Sequence, residues 1–255
     1  KQRTQSSPTQ HSQHDLTHPI DAPSQAATDI AKSLSFDKVN VVTVENAPGF
    51  DPPPSTPSTA PAIIEHLPQF QRATELRIHS AVGGPAGRLL AERMPREVET
   101  VWFGAAVSTE TRRGVLGTLG EGREVGTAEL GHDCSHISLT QGGAFDGWES
   151  ESFPSIRTIL IYFSVPDDLK DAVAANLIRD GLSTLLKAGV RGLASVALDL
   201  PDYKYGDRQD KHGDLDDAIR QVFRDRSRVG DFIINTWDGV GPRFWYESVT
   251  ATRTS

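Results

Sequence analysis

Hydrophobic residues are most concentrated between Ser155 and Leu200, and this stretch predicts one strand–helix–strand unit. Residues 158–165 form a nearly continuous apolar run of strand-forming residues, the pattern of a strand covered on both faces. A helical pattern follows and ends at Gly189, a residue type common at helix C-termini. Residues 195–200 (SVALDL) then form the returning strand.

The helical part of this unit carries two adjacent apolar stripes, together wide enough to cover a sheet. A crossover of this length between two buried strands implies parallel pairing and a right-handed connection. The prediction is therefore an α/β fold with a mixed, largely parallel sheet sandwiched between helices. We expect Ile161 and Val196 to be buried in adjacent strands, with Leu182 packed across them.

Shorter patterns on either side predict further elements. Strands are expected within residues 36–44, 73–80, 98–107 and 231–237, and Asp238 then begins a C-terminal hairpin. These strands extend the same sheet.

The pattern is helical at residues 88–94 and 215–226. Between Gly114 and Gly131, glycine recurs at six positions, which predicts a hairpin or a flexible cover loop instead of a long helix.

The first 35 residues differ from the rest in composition. Residues 1–35 are rich in Gln, Ser, Thr, His and Pro, with too few apolar side chains to offset the entropy of ordering, and predict a flexible, disordered polar tail or linker. A single α/β domain is expected over residues 36–250. The chain begins with Lys, so we expect a piece, or a processed form, of a longer protein.

Charge and cysteine content narrow the class of partner. The formal net charge is −8 without a basic stripe, which argues against a nucleic-acid partner. No apolar run approaches the roughly 18 residues of a membrane span, so no membrane partner is expected. A single Cys excludes an internal disulfide and favours a reducing, cytoplasmic location. No cofactor and no metal ion are predicted.

A glycine turn follows the strand predicted at residues 73–80. Gly83, Gly84 and Gly87 precede a helix start, and such a turn exposes backbone N–H groups beside the positive helix end, where phosphate or carboxylate can bind. The spacing matches neither the dinucleotide fingerprint nor the Walker loop. A plain tight turn is the alternative interpretation.

A short histidine and cysteine pattern is the second chemical candidate. On a strand, His132, Cys134 and His136 share one face, where they suit a transition metal or a Cys–His nucleophile pair. No second cluster with standard ligand spacing accompanies them. The alternative interpretation is that these are ordinary polar residues on a solvated strand face. We predict this alternative.

The acidic candidates follow the returning strand. Asp199 lies in an otherwise apolar strand, and a buried carboxylate needs partners or a shifted pKa, so it is a candidate functional acid. Residues 200–213, which include Asp202, form a polar loop at the carboxyl end of a parallel strand, where open α/β sheets bind ligands. The sequence has no nucleophile elbow, no zinc-protease helix and no Walker phosphate loop.

The order of these segments resembles a known family. A glycine-rich segment, TILIYFSV, a long helix, ASVALDL, a loop with Tyr205 and Gly206, a capped helix and DFIINTW are similar to the C-terminal half of macro domains. They are also similar to the related N-terminal, non-catalytic domain of leucine aminopeptidases. The resemblance covers roughly Gly120 to Trp237 and implies a macro-like arrangement, with a cleft at the carboxyl ends of the central strands.

Macro domains bind ADP-ribose through two loops, and the resemblance implies counterparts here. Gly83, Gly84 and Gly87 correspond to the first loop, and Tyr205 and Gly206 to the end of the second. The chain departs from the family pattern because it lacks an Asn-Ala-Ala-Asn-like phrase and carries DYK in the second loop. The metal-binding phrase of the aminopeptidase catalytic half is absent as well.

Two functions are predicted from these observations. The first is a non-catalytic ligand-sensing or interaction module of a larger intracellular protein, whose partner is a small nucleotide such as ADP-ribose or another protein domain. The alternative is a hydrolase acting on ADP-ribosyl or similar phosphorylated conjugates, in which Asp199 or Asp202 orients water.

Overall fold

The computed structural model describes ten ranges of the chain, separated by short gaps. They are residues 25–36, 38–44, 64–79, 84–131, 136–140, 143–166, 168–200, 213–224, 227–240 and 245–254. Gly83, Asp202, Tyr205, Gly206, His132 and Cys134 lie outside these ranges.

Helices and strands alternate along most of the described chain. The helices are α1 Gln25–Ser33, α2 Gly84–Glu92, α3 Thr109–Leu119, α4 Asp171–Lys187 and α5 Gly213–Phe223. The strands are β1 Val41–Val44, β2 Glu75–Ile78, β3 Glu97–Phe103, β4 Glu124–Leu130, β5 Ile137–Ser138, β6 Ser155–Ser164, β7 Ser195–Leu200, β8 Arg228–Val229, β9 Phe232–Val240 and β10 Trp245–Arg253.

The strands form one ten-stranded mixed sheet in the order β1-β2-β3-β4-β6-β7-β10-β9-β8, and β5 pairs with β6. Neighbours from β1 to β7 are parallel, whereas β10 pairs antiparallel with both β7 and β9. The α/β class and the mixed, largely parallel sheet are therefore confirmed. A macro-like arrangement remains a prediction.

The predicted strand–helix–strand unit is present. β6 and β7 are parallel neighbours, and α4 connects them. Ile161, Val196 and Leu182 are each 0% exposed, as expected for a crossover helix packed on two buried strands. The helix begins at Asp171.

Helices α2 to α5 lie on one face of the sheet. Each parallel strand neighbours the preceding one in the same direction, so right-handed connections place α2, α3 and α4 on the same side. Helix α5 leads to the antiparallel strands, and its buried residues share the same core. The buried side chains of these helices share one core with one face of the strands. The strand residues of that face are Leu76, Ile78, Val101, Phe103, Ala128, Leu130, Ile159, Ile161, Val196, Leu198, Val249 and Ala251.

The other face, which we call the open face, corrects one expectation. Leu160 and Tyr162 on β6 are only partly buried and lie outside the core, so the apolar run is not covered on both faces. Trp102 is buried but also lies outside that core. Helices flank the sheet, and α2 to α5 lie on the face opposite these side chains. The prediction was wrong here because the sequence alone does not distinguish an apolar residue on a partly covered face from one in the core.

A β-bulge explains an irregular periodicity in the central strands. The carbonyl of Thr74, the residue before β2, accepts hydrogen bonds from both Glu99 N (2.8 Å) and Thr100 N (3.1 Å). Two residues of β3 therefore lie opposite this single residue. Val98 and Val101 are an odd number of residues apart, yet both are buried in the core. The bulge therefore keeps the apolar positions of β3 on the helix-bearing face.

The glycine-rich segment is not a hairpin or a cover loop. Helix α3 passes through Gly114 and Gly117, and β4 follows it. Ser108 caps α3 by accepting a hydrogen bond from Thr111 N at 3.1 Å, and the helix ends at Gly120 with φ 78°. The cap and the buried apolar residues of α3 outweigh the helix-weakening effect of glycine.

The N-terminal segment contains an element that the composition did not predict. Helix α1 covers residues 25–33, and its Thr28 and Ala31 are buried. The predicted tail of residues 1–35 therefore includes a helix, while residues 1–24 lie outside the described ranges.

A buried arginine fixes the connection that precedes β6. Arg112 of α3 is 2% exposed, and its Nη2 donates to the carbonyls of Gly143 (2.7 Å) and Asp146. Its guanidinium carbon lies 4.6 Å from the centre of the Trp148 ring. Burial lowers the pKa of Arg112 to about 10, against the opposing effect of the Asp146 carboxylate.

We expect Leu182→Ala to lower the free energy of unfolding by about 2–5 kcal/mol, because it removes a large side chain from a closed core. Leu177→Ala on the same helix is the matched control, since Leu177 is 41% exposed. Urea denaturation measures both variants. Equal effects would contradict the packing of α4 described above.

Arg112→Lys is expected to destabilise the protein by about 1–3 kcal/mol, because an ammonium keeps the buried charge but cannot reproduce the planar fork. Arg113→Lys, at a side chain 46% exposed, should have little effect on unfolding. Urea denaturation compares the two variants. If Arg112→Lys left the free energy of unfolding unchanged, the carbonyl contacts would not be what holds this connection.

Candidate functional site

Four consecutive strands bring polar and aromatic side chains to one edge of the open face. Trp102 is on β3, Glu129 on β4, Tyr162 on β6 and Asp199 on β7, each within two residues of the carboxyl end of its strand. Trp102 pairs in register with Glu129, and Tyr162 with Asp199. We call these four residues the carboxyl-edge cluster.

Trp102 forms the rigid wall of this cluster. Its side chain is 6% exposed, and Nε1 donates a hydrogen bond to the carbonyl of Gly131. The ring of His79, which follows β2, packs edge-on against it with a centroid distance of 4.2 Å. The indole is thereby fixed by a hydrogen bond on one side and a ring contact on the other.

The two acids of the cluster are partly buried. Glu129 and Asp199 are each intermediate in exposure, and the Asp199 Oδ1 atom is shielded from solvent. Strand β6 separates them and Asp199 lies two residues further toward the edge, so their backbones are roughly 12 Å apart. Such carboxylates accept hydrogen bonds from ligand hydroxyls or act as an acid–base pair.

Tyr162 lies beside Asp199 on β6, the strand between the two acids. Its Cα is paired with that of Asp199, and the ring of His136 approaches its ring at a centroid distance of 6.4 Å. His136, the described member of the predicted histidine–cysteine set, therefore lies beside the cluster. Tyr162 adds an aromatic surface and a hydroxyl that donates or accepts.

Positive groups adjoin the same edge. Helices α2, α3 and α4 each begin shortly after the carboxyl end of a parallel strand, which directs their positive ends to this edge. Arg77 lies beside Trp102 on β2, and its side-chain hydrogen bond to Glu75 raises its pKa, with a smaller contribution from Glu129. The edge therefore combines partly buried acids with positive helix ends.

The predicted glycine loop is only partly described. Gly84 is the first residue of α2, and Gly87 lies inside that helix and is buried. A Cβ at Gly87 would lie 3.1 Å from Val115 Cγ2 and 3.2 Å from Ile78 Cδ1, so this glycine permits close packing of α2. Ligand contact by the preceding turn remains a prediction.

The two predicted ligand loops begin at the same edge of the sheet but not side by side. Their strands end at Ile78 and Leu200, and three strands lie between β2 and β7. Four strand spacings put these ends about 19 Å apart. The carboxyl-edge cluster lies between these two strand ends.

Sequence patterns missed three of the four cluster residues. Trp102 and Tyr162 fall within apolar runs of the sequence, and Glu129 falls within the glycine-rich segment. The signal that was available is their alternation with core residues in the same strands, because side chains one residue apart face opposite ways. Only Asp199 was predicted.

No group of three potential metal-binding side chains occurs among the residues that the structure describes. The helices in those ranges also include none that is long and apolar enough to cross a membrane. No family model matches the chain, and comparisons with curated proteins and with solved structures give no match.

Proposed function

We propose that the chain is a non-catalytic ligand-binding module whose binding surface is the carboxyl-edge cluster. The observation that supports this most is the placement of Trp102, Glu129, Tyr162 and Asp199 on four consecutive strands of a face that α2 to α5 leave uncovered. Ligands of open α/β sheets bind at the carboxyl ends of strands.

The ligand class that fits this surface is a nucleotide with free ribose hydroxyls, such as ADP-ribose. Glu129 and Asp199 are suited to accept hydrogen bonds from ribose hydroxyls, and the Tyr162 ring offers a stacking surface. The positive ends of α2 and α3 favour the phosphates. Phosphate without a sugar should bind poorly, because the two acids repel it. A macro-like relationship would supply the same ligand class.

We expect saturable binding of ADP-ribose in calorimetry, and weaker binding after Glu129→Gln or Asp199→Asn. Each variant removes a charged acceptor, worth about tenfold or more in affinity. Glu124→Gln is the matched control because it lies on the same strand at the amino end. Titrations with adenosine and with inorganic phosphate separate the contribution of the sugar to binding affinity from that of the phosphate.

Two results would contradict this proposal. One is no heat change with ADP-ribose at millimolar concentration. The other is binding that Glu124→Gln weakens as much as Glu129→Gln and Asp199→Asn do.

A hydrolase acting on ADP-ribosyl conjugates is the second candidate function. It is favoured by the pairing of Asp199 with Tyr162 and by the shielding of Asp199 Oδ1, because burial prepares a carboxylate for general-base work on water. Asp202, predicted for the same role, lies outside the described residues.

For this second candidate we expect the protein to release ADP-ribose from an ADP-ribosylated protein. Chromatography measures the released ADP-ribose. Asp199→Asn should reduce the rate by about a hundredfold or more, as for loss of a general base, while Glu124→Gln should leave it unchanged. Asp202→Asn tests the other predicted acid. No release from a panel of ADP-ribosylated substrates would exclude the hydrolase function.

A further inference from the structure

A groove of about 610 Å³ lies on the helix-bearing side of the molecule, across the sheet from the carboxyl-edge cluster. It runs along α3, between α2 and the segment that precedes β6. Its size is within the range of ordinary small-molecule sites. The groove is lined by Arg88, Thr109, Glu110, Arg113, Gly114, Gly117, Thr118, Ser150, Ser152 and Phe153.

Arg88 lies across the backbone of α3 in this groove. A Cβ placed on Gly114 would be 2.3 Å from Arg88 Nε and 2.6 Å from Nη2, so the guanidinium rests where a side chain would otherwise stand. Among the described residues, no carboxylate lies within ion-pair distance of Arg88. Its charge and its planar set of donors are therefore available to a ligand.

Arg113 supplies a second guanidinium to the same groove. Its Nη1 lies 3.1 Å from Glu149 Oε1, and both side chains are about half exposed. A guanidinium has five N–H donors, so one carboxylate contact leaves others for a second oxyanion. The hydroxyls of Ser150 and Ser152, which are 2.8 Å apart, add neutral polar groups to the wall.

Two glycines leave the floor of the groove open. Gly114 and Gly117 lie inside α3, where each weakens the helix by about 1 kcal/mol relative to alanine, and neither has a positive φ. A Cβ at Gly117 would meet only Phe153 Cε1, at an ordinary 3.8 Å. Packing within the described residues therefore does not require glycine there, whereas a ligand lying over Phe153 would.

We propose that this groove binds a small ligand that carries an oxyanion, phosphate or carboxylate, on a flat ring. The oxyanion lies between Arg88 and Arg113, and the ring lies over Gly117 beside Phe153. Planar guanidinium groups match phosphate and carboxylate through paired hydrogen bonds. Glu110 is the lining acid that opposes this binding.

Phenyl phosphate is the probe for the test, with benzoate, inorganic phosphate and phenol as companions. We expect one saturable site for phenyl phosphate and benzoate by calorimetry, weaker binding of inorganic phosphate, and no binding of phenol. The difference between phenyl phosphate and benzoate identifies the preferred oxyanion.

The variants are chosen to change binding without disturbing the core. Arg88→Gln should weaken phenyl phosphate binding about tenfold or more, because it removes a charged donor from an exposed position. Glu110→Gln should strengthen it, since an opposing charge is lost. Arg96→Gln, an exposed arginine outside the groove, should leave it unchanged.

Two further variants locate the bound ring and separate this site from the carboxyl-edge cluster. Gly117→Leu should abolish binding by filling the floor while the circular dichroism spectrum is retained. Asp199→Asn should have no effect on phenyl phosphate.

Four results would overturn the proposal. They are no saturable binding of either ring-bearing anion, equal losses in Arg88→Gln and Arg96→Gln, weaker binding in Glu110→Gln, and unchanged binding in Gly117→Leu.

Discussion

The packing of four helices against a single face of the sheet is the constraint on which the rest of the structure depends. Because the strands from β2 to β7 follow one another in the same direction, right-handed connections place α2, α3 and α4 on the same side, and α5 shares their core. One layer of apolar side chains, with Ile161, Leu182 and Val196 at its centre, then provides the core. None of these four helices covers the opposite face.

The difference between the core face and the open face of the sheet explains where the fold can accommodate acidic and aromatic side chains. A carboxylate inside the core would lose its hydration without a partner, which is strongly unfavourable. On the open face, Glu129 and Asp199 keep part of their exposure, while the buried Trp102 holds the edge rigid. The positive ends of the helices lie at the same edge, so the acids also reduce an excess of positive potential there.

The two sides of the molecule differ in the ligand chemistry they offer. The carboxyl-edge cluster presents acceptors and ring surfaces, which suit hydroxyl groups and flat rings. The groove on the helix side presents the guanidinium groups of Arg88 and Arg113, although the chain as a whole carries a net charge of −8. Local placement of charge, more than net charge, therefore decides what each surface can bind.

Local periodicity determined the β6–α4–β7 unit, because apolar spacing along one segment distinguishes a buried strand from a helix. It also placed Asp199 at a strand end. Tertiary structure alone decided that β10 lies between β7 and β9, that α2 to α5 share one face, and that Trp102, Glu129 and Tyr162 join Asp199. The physical reason is that strand order and coverage depend on contacts between distant segments, and alternation within one strand does not encode its neighbours.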